Sequence, residues 1–270
     1  MYLTWFRDIS LTDRPTVGGK GASLGELTRA GIRVPPGFVV TTSAFEAALA
    51  AIDPEGAIRS AIERVDGADH AAVSAVAEPI RARFAAATLP EELVRTVVAA
   101  YRELAGSDGP VAVRSSATSE DSAEASFAGL QDTHLCVQGA ESLIRSLCSC
   151  WASLYCLESV TYRLRLGLPE RQVSMGVVVQ RMLDSRSSGV MFTRSPVTGD
   201  RSVIAIEASL GLGSALVSGE VTPDKYVISK VTGEIAQRCL PRSGQRARRP
   251  PQIVETRRKM GRDRNAGRSD

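Results

Sequence analysis

The chain is poor in the residue types that do much of side-chain catalysis: 270 residues include two histidines, five cysteines and 5% aromatics. Cys136, Cys148, Cys150, Cys156 and Cys239 form no CxxC pair, which argues against a disulfide scaffold or a zinc knuckle. Cys148 and Cys150 stand two apart in a predicted helix, where side chains diverge, so they are expected to pack rather than share a metal. His70 and His134 have no serine or cysteine nucleophile at a recognisable spacing, so neither points to a triad. No uncharged apolar run nears the ~20 residues of a membrane span. Nor does the N-terminus, MYLTWFRDIS, carry a basic segment leading into an apolar core, so no secretory signal is expected. The expectation is a cytoplasmic protein without a membrane partner.

What is present suits a globular chain. Hydrophobic residues make up 43% and charged residues 23%, enough for one large domain or two small ones. The net charge of +3 is unevenly spread. Residues 241–270 hold ten basic residues against three acids, a net of +7, whereas residues 1–240 hold 23 against 27, a net of −4. The basic segment has few large apolar residues and no amphipathic period, so it is expected to be a disordered tail. Nucleic acid is not the expected partner; a solvated tail accounts for the charge more simply.

Along residues 1–240 the elements are mixed. A short helix follows Gly18-Gly19-Lys20-Gly21, with Leu24 and Leu27 on one face and Gly31 ending it. Phe38-Val39-Val40 reads as a strand, and Thr42 or Ser43 as the cap of a helix from Ala44 to Ile52. Residues 55–105 are Ala-rich and helical, broken near Asp66-Gly67 and Leu89-Pro90. The texture changes near residue 110. Strands are expected at Val111–Arg114, Asp132–Val137, Gln172–Met182, Gly189–Thr193, Ser202–Ala208 and Lys225–Ser229, and a Thr232-Gly233 turn leads into Glu234–Cys239. Ser115–Gly129 reads as a polar loop and residues 140–166 as one helix. Helices early and strands late favour an α+β fold over a doubly wound sheet.

Four groups of residues could carry chemistry. Gly18-Gly19-Lys20-Gly21 at a helix start offers backbone amides and a cation to an anion. It is no Walker A loop, because Lys20 precedes Gly21 and position 14 is Arg14; a flexible surface turn would carry the same residues. Arg114 closes a buried strand, where five fixed donors suit phosphate oxygens and a charge needs a partner. The hydroxyl-rich loop after it either folds over a ligand or satisfies its own backbone, with Glu120, Asp121 and Glu124 in water. Gln180 can offer a donor and an acceptor to a base edge, or be merely a polar strand end. Gly189 and Gly211-Leu212-Gly213 suggest tight turns.

Together the blocks VGGKGASLGELTRAGIRVPPGFVVTT, VAVRSSATSEDSAEASFAGLQDTHL, VVVQRMLDSRSSGVMFTRSPVTGD and EASLGLGSALVSGEVTPDKY, spanning about residues 14–230, resemble the N-terminal ATP-binding domain of the phosphoenolpyruvate synthase, pyruvate phosphate dikinase and rifampin phosphotransferase family. The resemblance implies an ATP-grasp-like domain over residues 1–240 with a subdomain change near 110. It implies that Lys20 and Arg114 bind phosphates, that Gly129 lies against the triphosphate, that Thr133 contacts the nucleotide and that Gln180 sits near adenine. ATP and magnesium are the implied ligands. No residue is assigned to catalysis or to the metal, because the family's metal-holding Glu and its Q-S-R-P-like segment have no counterpart after Glu234, and the chain leaves the pattern near Cys239. In the full-length family the reaction converts ATP, pyruvate and water to phosphoenolpyruvate, AMP and phosphate. That needs a phosphohistidine domain and an acceptor domain, which a second chain would have to supply. The alternatives are the ATP domain of a rifampin phosphotransferase-like enzyme and an inactive nucleotide-binding remnant.

Overall fold

The computed structural model describes residues 1–118 and 133–240. Gly129, the acids of its loop and the basic segment from residue 241 lie outside the described residues. The fold class is α+β, with mixed helices and antiparallel sheets, and the chain divides into two compact units after Leu183.

The first unit holds β1 (Leu3–Trp5), α1 (Arg14–Arg29), β2 (Gly37–Val40), α2 (Thr42–Ile52), α3 (Ala57–Glu63), α4 (His70–Ala85), α5 (Glu91–Ala105), β3 (Val111–Ala117), β4 (Thr133–Val137), α6 (Ala140–Ser153), α7 (Leu157–Arg165) and β5 (Met175–Arg181). Its five strands form one antiparallel sheet in the order β1-β2-β5-β3-β4. Strands on both sides of residue 110 therefore belong to the same sheet.

Alternation along the strands separates two faces. Phe38, Val40, Val111, Val113, Met175, Val177 and Val179 enter the main core, against Phe45, Phe84, Trp151 and Tyr155 of the helical layer. Rings in that layer meet in pairs, with Phe45 and Phe84 stacked at 6.0 Å and Phe84 and Tyr155 at 5.5 Å. The opposite face carries Val39 and Val178 in a smaller cluster with Phe6, Ile9, Val17 and Ala22, and α1 lies on it.

Several local readings are corrected. β3 continues through Ser115, Ser116 and Ala117, all buried, instead of ending at Arg114. The helix expected over 140–166 breaks at Leu154–Cys156, where the Cys156 thiol accepts the Ser159 amide and caps α7. Thr41 stands at the N-cap of α2, one residue before the expected pair. The glycine turn before α1's main segment is buried, which overturns the surface-turn reading. What α1 presses on its neighbours is Gly21, Ala22 and Gly25, while Leu27 is exposed.

Behind the helical layer, Arg163 and Glu170 form an ion pair with each side chain only 1% exposed, Nε to Oε1 at 2.9 Å. Arg163 also donates to Ser159 Oγ and the Leu154 carbonyl, so the guanidinium ties the helix break to the turn before β5.

The second unit is a four-stranded antiparallel meander of β6 (Ser187–Phe192), β7 (Val203–Leu210), β8 (Asp224–Ser229) and β9 (Ile235–Cys239), with the short α8 (Ser214–Val217) between β7 and β8. Thr232-Gly233 forms the last hairpin turn, as the sequence indicates, with Gly233 at φ 73°. A Glu207–Lys225 pair at 2.6 Å joins β7 to β8. Among the described residues no helix is long and apolar enough to cross a membrane.

Candidate functional site

Arg114 lies in β3 opposite Val178 of β5 and opposite Thr133 of β4. Directly paired residues of antiparallel strands project to the same face with Cβ atoms ~4.5–5.5 Å apart. The register therefore sets Arg114 beside Thr133, two residues the family resemblance had singled out separately. The arginine is half-buried and the threonine exposed. Among the described residues no hydrogen bond or ion pair holds the Arg114 guanidinium. A charge on a sheet face whose donors are uncommitted among the described residues suits a mobile anionic partner.

Gln180 is opposite Ala112 of β3 and Gly37 of β2, so it lies on that same face. Its Nε2 donates to the Pro35 carbonyl at 3.0 Å. That bond orients the carboxamide and commits one donor, leaving Oε1 as an acceptor.

Lys20 comes from α1, which packs on this face. The helix is broken at Gly18, with φ 72° and ψ 174°, in a region that only glycine visits readily. Ser116 explains the break. In an unbroken helix the Gly21 amide would donate to the Val17 carbonyl. Instead it donates to Ser116 Oγ at 3.0 Å, and that hydroxyl donates to the Val17 carbonyl at 2.9 Å. Insertion of a side chain into the helical ladder is a recognised cause of kinks. Glycines let the parts approach: a Cβ on Gly176, opposite Ser116, would come within 2.8 Å of the Val17 carbonyl oxygen.

The face thus gathers Arg114, Thr133 and Gln180, with Lys20 in the helix that packs on it. The sequence reading missed Ser116, although the period of two from Ala112 through Arg114 already places it on that face. Gly129 lies outside the described residues.

The second unit has its own cavity of about 250 Å³, lined by Ser187, Ala208, Leu210, Thr222, Asp224 and Tyr226 among others. Among the described residues no three His, Cys, Asp or Glu side chains gather as a metal-ligand set.

One face of the first unit's sheet carries Arg114, Thr133 and Gln180, and Lys20 stands at the glycine turn of the helix packed on that face. The chain belongs to the pyruvate phosphate dikinase AMP/ATP-binding domain family, whose model matches residues 14–266. The match runs past Cys239, where the sequence reading has the chain depart from the pattern. It is similar to rifampicin phosphotransferase of a Streptomyces species, 47% identical over 235 residues that cover 87% of this chain and 27% of that protein. A probable phosphoenolpyruvate synthase of Staphylothermus marinus is 42% identical over 240 residues, covering 87% and 29%. Phosphoenolpyruvate synthase of Pyrococcus furiosus is 40% identical over 275 residues, covering 88% and 34%. The chain spans about a quarter to a third of the length of these relatives.

Proposed function

We propose that the chain is the ATP-binding portion of a phosphoenolpyruvate synthase-like phosphotransferase, folded as an ATP-grasp-like domain over residues 1–240 and acting in the cytoplasm. In this reading Lys20 and Arg114 hold the phosphates, Gly129 lies against the triphosphate, Thr133 contacts the nucleotide, and Gln180 presents Oε1 to the adenine edge. Fixed cations at the phosphates neutralise charge and align the group to be transferred, which is most of what phosphoryl transfer asks of a protein. Transfer onward to pyruvate needs a phosphohistidine and an acceptor site from a second chain or further domains.

The observation that carries this reading is the Arg114 guanidinium, on the same sheet face as Thr133 and Gln180 and without a partner among the described residues. Calorimetric titration with ATP, with and without magnesium, tests it. Binding by the wild-type chain, abolished in Arg114→Ala, is the expected result; equal affinity in the variant ends the site assignment. A rifamycin in place of pyruvate is the second reading, favoured by the 47% identity to the Streptomyces enzyme. Turnover assays with pyruvate and with rifampicin, in the presence of phosphohistidine and acceptor domains, separate the two.

A further inference from the structure

Ser116 is fully buried, and its hydroxyl sits between the Gly21 amide and the Val17 carbonyl, the pair that would otherwise bond to each other within α1. Ser116 also lies two residues from Arg114 on the same strand and face, ~6.8 Å along β3. One strand therefore carries the arginine and the hydroxyl that accepts the amide of Gly21, the residue after Lys20. We propose that Ser116 is the positioning residue of the nucleotide site: its hydroxyl wedges α1 open at Gly18 and so fixes Lys20 in register with Arg114. This rests on the nucleotide-binding reading above.

With the hydroxyl removed, the Gly21 amide and the Val17 carbonyl have each other as partners. The ladder closes, Gly18 leaves its strained conformation, and α1 runs on without the turn. No buried polar group is left stranded, so the fold survives while the start of the helix, with Lys20, turns relative to β3. A purely structural serine would behave differently, because losing its bonds would weaken every ligand alike through general loosening.

The test is NMR titration of the ¹⁵N-labelled chain, wild type and Ser116→Ala, with ATP and with adenosine. The variant is expected to keep the amide fingerprint of β3 and β5. Its ATP affinity should fall roughly tenfold or more while its adenosine affinity stays within about twofold, since only the phosphates depend on Lys20. Unchanged ATP affinity, or an equal loss for both ligands, overturns the proposal. If the variant does not fold, the wild-type titration decides. ATP, unlike adenosine, should shift the amides of Gly18 to Gly21 and of Ser116 together with that of Arg114, and a shift at Arg114 with the others stationary overturns it. A wild-type chain that binds no ATP removes the underlying reading itself, an outcome distinct from any failure confined to Ser116.

Discussion

Gly18 meets Ser116 with no room for a methyl group between them: a Cβ on Gly18 would stand 1.9 Å from the Ser116 carbonyl oxygen and 2.4 Å from its hydroxyl. Gly18→Ala therefore adds a clash with backbone to a conformation that only glycine adopts readily. The expected loss of stability is ~2–4 kcal/mol, read by urea unfolding. A loss below ~0.5 kcal/mol would mean that α1 lifts from the sheet with little cost.

Arg114→Ala removes a half-buried cation that bonds to nothing else among the described residues. The variant is expected to unfold within a few degrees of the wild type in the absence of nucleotide. ATP at a hundredfold excess over the dissociation constant should stabilise the wild type by ~2.7 kcal/mol and leave the variant unmoved. Differential scanning calorimetry reads both effects, and an equal ATP-induced rise in the two proteins would refute the role.

Truncating one side of the buried Arg163–Glu170 pair strands a charge in the core. Glu170→Ala is expected to cost ~3–5 kcal/mol, and replacing both partners with Met and Leu to recover much of it. Denaturant unfolding of the two singles and the double measures the coupling. Simple additivity would show that the pair contributes no energy of its own.

Thiol reactivity should follow burial. Burial pushes the Cys148 thiol up to about 11 and also raises that of Cys156, so at pH 8 both hold less thiolate than an ordinary cysteine. Cys239 is exposed on β9. Labelling with a disulfide reagent at pH 8 should modify Cys239 first, and Cys148 and Cys150 only on unfolding. Early modification of Cys148, identified by peptide mapping, would contradict the packing of α6.

Much of this architecture was legible from the residues, and the misses share a cause. The strands of the second unit announce themselves through β-branched runs bounded by glycines, and Thr232-Gly233 marks its hairpin. Ser115 and Ser116 read as loop because hydroxyl side chains favour turns, yet in β3 they are buried and Ser116 finds two partners across the fold. α1 misleads a search for hydrophobic periodicity, since glycines make its close contacts: a Cβ on Gly25 would fall 2.5 Å from Ile9. The pairing of Arg114 with Thr133 depends on an irregularity between Val111 and Val113, near which Cys136 takes φ 56°. Such a shift is set by tertiary contacts and leaves no mark on local composition.

The strand order also governs how the chain comes together during synthesis. β5 is the last of its sheet's five strands to be made and yet sits at the centre, so β1-β2 and β3-β4 have no common partner until it arrives. It begins at Met175, roughly 60 residues after β3 ends at Ala117. At ~5–20 residues per second the ribosome needs ~3–12 s to cover that distance. For that interval the inner edges of β2 and β3 offer unsatisfied amides and carbonyls to any passing strand. Closure of the first unit's sheet is thus a late, long-range event rather than a local one.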